Sequence, residues 1–245
     1  MWDDYIDDFC DLSDIFQGFD ATYETAQSLQ VINGFAQAAW HSGRKIHSGP
    51  TGVRIPPPRV KAMHPRLSQA ETATIYFAFE LGDIEEISIP RQADFQVKVT
   101  GSLEGDYCPV QLEDHWRIDS HIFPNIQDAV EPHPYFHFQR GGHAQDHFCN
   151  DHGYVPNNQM PDVQGVLWRG LMQSPGPRIP IAPHCPILAI DFAIAQHDGE
   201  TWRRLRASSS YLTLIRRAQE RLWGPFFEAL SRPSFRTLWM GPIFA

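Results

Sequence analysis

The stretch VQLEDHWRIDS, residues 110–120, alternates its residue types with a period of two. In an extended chain Leu112, Asp114, Trp116 and Ile118 share one face, and Glu113, His115, Arg117 and Asp119 share the other. The same period recurs on both sides of it, in ATIYFAFEL (73–81), IEEISI (84–89), FQVKVTG (95–101) and PYFHFQ (134–139). Turn-forming residues such as Gly82-Asp83 and Gly101 separate these runs. Short intervals between strands predict an antiparallel meander of about five strands over 72–139.

Helical periodicity flanks this block. Ile15, Phe19, Tyr23, Ala26, Leu29, Ile32, Ala36 and Trp40 recur at steps of three and four, which predicts one long amphipathic helix over 15–40. Residues 186–197 predict a second helix, with Asp191 on it. Residues 210–223 predict a third, with Tyr211, Ile215, Ala218 and Leu222 on one face and Arg216, Arg217 and Arg221 away from it. Gly224-Pro225 is expected to end or kink that helix. Together these elements predict a single α+β domain over 1–245, its C-terminal helices (184–231) packed on a central sheet. Between them lie an acidic segment (1–14), a Pro/Gly-rich connection (41–71), a polar loop rich in His, Gly and Pro (140–183) and an apolar tail (232–245).

Charge is unevenly spread in a chain with a net charge of −9. Residues 1–30 carry eight acids and no Lys or Arg, whereas 201–245 carry eight Arg against two Glu. The two ends can attract each other or meet separate partners. The overall negative charge argues against indiscriminate binding of nucleic acid. Four cysteines without C-x-x-C spacing, a start lacking a signal-peptide pattern and no long apolar run predict a cytoplasmic chain with reduced thiols and no membrane span.

Chemistry-bearing residues concentrate in EPHPYFHFQRGGHAQDHFCNDHG, residues 131–153. If 110–120 pairs antiparallel with 133–139, His115, Arg117, Tyr135 and His137 become neighbours on the polar face, flanked by Glu113 and Asp119. That set suits phosphodiester cleavage. One imidazole takes the proton of a 2′-hydroxyl and the other protonates the leaving oxygen, while Arg117 stabilises the phosphate and Tyr135 donates a hydrogen bond. RNA is the expected substrate, with no cofactor required.

Two other readings stand beside it. His143, His147, Cys149 and His152 show the spacing H-x3-H-x-C-x2-H, a donor set for zinc, with Asp146 and Asp151 available to orient the ligands. Such a site would support a zinc-dependent hydrolase. Alternatively the chain is a non-catalytic subunit of an assembly. Its acidic N-terminus, Arg-rich C-terminal helix or apolar tail would then contact a protein partner, and the histidines would be structural. Walker, dinucleotide-binding, nucleophile-elbow and H-E-x-x-H motifs are all missing, which counts against the classes they mark.

Overall fold

The computed structural model describes residues 2–59, 69–84, 87–104, 109–120, 136–140, 168–171 and 183–231. Helices α1 (Tyr5–Gln17) and α2 (Tyr23–Gly43) lead into two short strands, β1 (Lys45–His47) and β2 (Val53–Ile55). Strands β3 (Gln69–Ile84), β4 (Ile87–Glu104) and β5 (Pro109–Ser120) form a long meander, followed by β6 (Phe136–Arg140) and β7 (Trp168–Leu171). Helices α3 (Pro186–His197), α4 (Gly199–Ala207) and α5 (Ser209–Ser231) come last. The sheet runs β1-β3-β4-β5-β6, antiparallel throughout, with β2 also on β3 and β7 on β5 in parallel. This is the α+β architecture that the alternation of periods predicts.

One face of the sheet makes the core. Ala73, Ile75, Phe77 and Phe79 of β3, Phe95, Val97 and Val99 of β4, and Trp116 and Ile118 of β5 are all buried. Against them α1 buries Tyr5, Phe9, Leu12 and Phe16, and α2 buries Leu29, Ile32 and Trp40. Tyr5 of α1 meets Trp40 of α2 at a tilt with ring centres 4.9 Å apart, and Phe9 meets Phe77 edge-on at 6.1 Å, so aromatic pairs join α1 both to α2 and to the sheet. Apart from Asp191 and its Gln196-His197 end, helix α3 is apolar on every side and buried over most of its length, as a central helix must be. Pro186 opens it at a position where no N–H is needed.

Several local expectations are corrected. The predicted helix over 15–40 breaks at Gly18, where a short 3₁₀ turn (Asp20–Thr22) intervenes before α2. The Thr22 hydroxyl donates to the Phe16 carbonyl at 2.9 Å, which satisfies an end of α1 and fixes the bend. Residues 5–14, read as an acidic segment, are most of α1. The supposed turn Gly82-Asp83 lies inside β3, and IEEISI spans the reversal instead, since Ile84 pairs with Ile87. Gly82 sits where an added Cβ would press on Arg91, beside an irregularity in the β3–β4 register near Glu80 and Leu81. Part of the 140–183 segment is strand β7. Helix α5 continues through Pro225, because Phe226 and Ala229 keep its last turns on the core.

Buried charges tie the helices together. Asp191 accepts from Arg206 at 2.6 Å, Trp202 Nε1 at 3.0 Å and Tyr211 Oη at 2.9 Å. Asp191 therefore ties α3 to α4 and α5, with Arg206 as its charge partner. The acidic N-terminus does meet the arginine-rich end, since Asp8 of α1 bridges Arg217 at 2.5 Å and Arg221 of α5. Arg221 is buried rather than turned away from the packed face.

The proline segment after β2 is strapped to the α3–α4 junction. His197 Nδ1 donates to the Pro56 carbonyl at 3.1 Å, and Arg59 binds Asp198 at 2.9 Å. Burial beside Trp116 pushes the His197 imidazole down to about 4. The unfolded chain, with an ordinary imidazole near 6.5, then binds the extra proton first. Stability from this group is complete above about 6.5 and is lost as pH falls towards 4, a loss on the order of 3 kcal/mol. Urea midpoints of wild type and His197→Gln, compared from pH 7.5 to pH 4, are expected to converge as the pH drops. A constant gap between them would contradict this.

Candidate functional site

The face of the sheet opposite the core carries two cross-strand rows. Tyr76 pairs with Gln96, Gln96 with Arg117, and Arg117 with Gln139, which makes one row from β3 to β6. In the next row His47 pairs with Ala78, Ala78 with Asp94, and Asp119 with His137; Asp94 and Asp119 lie one step beyond the Phe95–Ile118 pair. Neighbours within a row are about 5 Å apart. Ala78 is the small member, so the surface sinks there between His47 and the two aspartates. The result is an open cavity of about 550 Å³ lined by His47, Tyr76, Asp94, Gln96, Arg117 and Asp119 among others. That volume is in the range of small-molecule and substrate pockets.

Backbone pairing holds each wall in place. His47 ends β1, and the next residue clamps it: Ser48 N donates to the Phe77 carbonyl and Phe77 N donates to Ser48 Oγ, both at 3.0 Å. The turn that follows needs Gly52, whose φ is +64° and whose position has no room for a Cβ against Thr74 and Ile75. On the opposite wall Arg117 Nε lies 2.8 Å from Asp119 and donates to Gln139 Oε1 at 2.6 Å. His137 Nε2 stands 3.6 Å from Asp119 Oδ2. Gln92 donates to Asp94 at 2.5 Å.

Asp119 is the group whose chemistry this environment changes. Burial pushes its carboxyl up to about 6; Asp94 adds to the rise and Arg117 opposes it. A carboxyl poised there exchanges its proton close to neutrality, as a catalytic acid must.

The structure brings Arg117 and His137 together as the alternation predicts, with Asp119 between them. It does not bring His115 to His137. His115 is opposite Lys98 and four residues along β5 from the partner of His137, about 13 Å away at the rise of a strand. It is also buried, next to the ion pair between Lys98 and Glu113. Tyr135 and the proposed zinc ligands His143, His147, Cys149 and His152 lie outside the described residues. Among the described residues there is no group of three or more His, Cys, Asp or Glu placed to hold a metal. Among the same residues no helix is long and apolar enough to cross a membrane.

Sequence reading missed His47, Tyr76, Asp94 and Gln96. Alternation in ATIYFAFEL and FQVKVTG does send Tyr76, Ala78 and Gln96 to the polar side, so those signals were present. His47 carried none, being on a three-residue strand in a Gly-rich segment. No protein-family model, curated protein or solved structure matches this chain.

Proposed function

We propose that this groove is the active site of an enzyme that cleaves phosphodiesters, with RNA as its substrate. The observation that carries the reading is the Asp119 carboxyl, held at about 6 between Arg117 and His137 in an open cavity. Asp119 takes the acid role that sequence reading assigned to a second histidine. In the proposed reaction His47, which lines the same cavity from the opposite wall, three strand spacings or about 14 Å of backbone from Asp119, reaches inward and accepts the proton of the ribose 2′-hydroxyl as its oxygen attacks phosphorus. The P–O5′ bond breaks, and Asp119 protonates the departing oxygen. The products are a 2′,3′-cyclic phosphate and a 5′-hydroxyl, and proton exchange with water resets both groups. Arg117 offsets the charge of the phosphate. His137 supports Asp119 from behind, and Tyr76 offers a ring on which a base can stack.

An anionic substrate enters a groove that also holds Asp94, so protonation of Asp119 favours binding as well as chemistry. Activity is therefore expected to fall about tenfold per pH unit above pH 6. The test is a labelled single-stranded RNA and a DNA of the same sequence, incubated with the protein from pH 5 to pH 8. Cleavage of RNA alone, with that alkaline limb and a loss of about 100-fold in His47→Ala, is expected. Intact RNA at every pH would sink the proposal. The competing reading, a structural cluster in an assembly subunit, draws on the internal pairing of Arg117 with Gln139 and Asp119.

A further inference from the structure

Helix α2 packs one side on the sheet and leaves the other unlike the rest of the surface. Tyr23, Val31 and Phe35 are 53%, 64% and 78% exposed. From Thr25 to Gly43 the helix contains no Asp, Glu, Lys or Arg, in a chain where a fifth of all residues are charged. An exposed helix face is ordinarily where charges gather. Gly34 sits in the middle of this face, with nothing within 4 Å of where a Cβ would be. Glycine inside a helix is destabilising relative to alanine, and no contact among the described residues needs it here. A glycine of that kind fits the close approach of another backbone.

We propose that this face binds a second copy of the chain, α2 against α2, across a two-fold axis near Gly34. Each helix offers both parts of the contact. Phe35 and Val31 are the protruding side chains, and Gly34 and Ala38 leave the hollow that receives Phe35 of the other copy. A self-complementary patch of this kind is what a two-fold interface requires. Charge opposes association elsewhere and spares this face: copies with a net charge of −9 repel over most of their surface, whereas α2 carries no Asp, Glu, Lys or Arg from Thr25 to Gly43. Area comes close to the lower bound for a specific dimer. At roughly 200 Å² per aromatic side chain, the exposed parts of Tyr23 and Phe35 come to about 250 Å². Val31 and the neighbouring Gln27, Gln30 and Ala38 bring each face towards the ~500 Å² per partner that a specific dimer needs.

Light scattering coupled to size exclusion tests this directly. At about 100 µM, far above a micromolar Kd, the wild type is expected at twice the chain mass of 28.0 kDa. Phe35→Glu is expected at the mass of one chain, with an unchanged circular dichroism spectrum because the site is exposed. Gly34→Ala gives the finer reading: a higher Tm for the separated chain, but a dimer Kd at least tenfold weaker. A wild type at the mass of one chain would overturn the proposal. So would a Phe35→Glu variant that stays paired, or a Gly34→Ala variant that pairs more tightly.

Discussion

Asp119→Asn is expected to lose at least about 100-fold in RNA cleavage while becoming more heat-stable than the wild type at pH 8. The first half follows from its place as proton donor: an amide has the same shape and no proton to give. The second half follows from linkage. In the folded protein the Asp119 carboxyl titrates at about 6, against an unperturbed 3.8. The native state therefore holds this proton more tightly than the unfolded chain, and stability falls as pH rises from about 4 through 6. Above 6 the wild type carries an ionised carboxylate in a site that burial and Asp94 make unfavourable. Asparagine removes that charge, and its oxygen can still accept from Arg117. The gap in Tm between variant and wild type is thus expected to open between pH 4 and pH 7 and to stay open at pH 8. A residue kept only for structure would behave the other way. If Asp119→Asn melts earlier at pH 8 and leaves activity unchanged, Asp119 is a scaffold residue and the acid lies elsewhere.

The same residue shows how far a sequence can be read. Period-two alternation was enough to place Arg117, Asp119, His137 and Gln139 on one face, because a strand's side chains follow strict geometry once its span is known. It could not place His115 relative to His137, since that depends on the register between β5 and β6. The observed register sets His137 beside a carboxyl, Asp119, instead of beside a second imidazole. The shifted proton affinity of Asp119 was beyond reach, because it depends on burial and on Asp94 from another strand. His47 is a plainer case: three residues of β1, flanked by glycines, carry no period, and only tertiary pairing with Ala78 makes them a strand.

Helix reading succeeded and failed for related reasons. Ala26, Leu29, Ile32, Ala36 and Trp40 are buried as their spacing predicts. Phe19 and Tyr23 also fit the spacing, which hid the break between α1 and α2. The break lets α1 and α2 each lay a separate stripe on the core. Spacing alone does not record where a helix breaks: Tyr23 fits the three-and-four pattern, yet it opens α2 at 53% exposure on the side away from the core. Charge carried a long-range signal that spacing did not. The excess of acids near the start and of arginines near the end left open a contact between them or separate partners, and Asp8 with Arg217 and Arg221 realises the first.

Asp8→Ala is expected to be the most damaging single change to stability, at roughly 3–5 kcal/mol. Asp8 is buried at 3% exposure and Arg221 at 6%, whereas Arg217 reaches solvent. Removing the carboxylate leaves the Arg221 guanidinium in the interface between α1 and α5 with its countercharge gone. Arginine cannot lower the cost by giving up its proton, so the interface must open or admit water. A domain of ordinary stability has about 5–15 kcal/mol in all, and the loss would be visible as an early urea transition. The partner experiment separates the cost of a stranded charge from the worth of the pair. Asp8→Leu combined with Arg221→Met removes both charges and keeps apolar volume, and is expected to recover most of the lost stability, because desolvation offsets much of what a buried ion pair contributes. Arg217 needs no replacement, since it can turn into water. If Asp8→Ala costs less than about 1 kcal/mol, the value of an exposed pair, then the attraction between the acidic and arginine-rich ends does not hold α1 to α5. The aromatic contacts of Tyr5, Phe9 and Phe16 would then have to hold α1 in place without it.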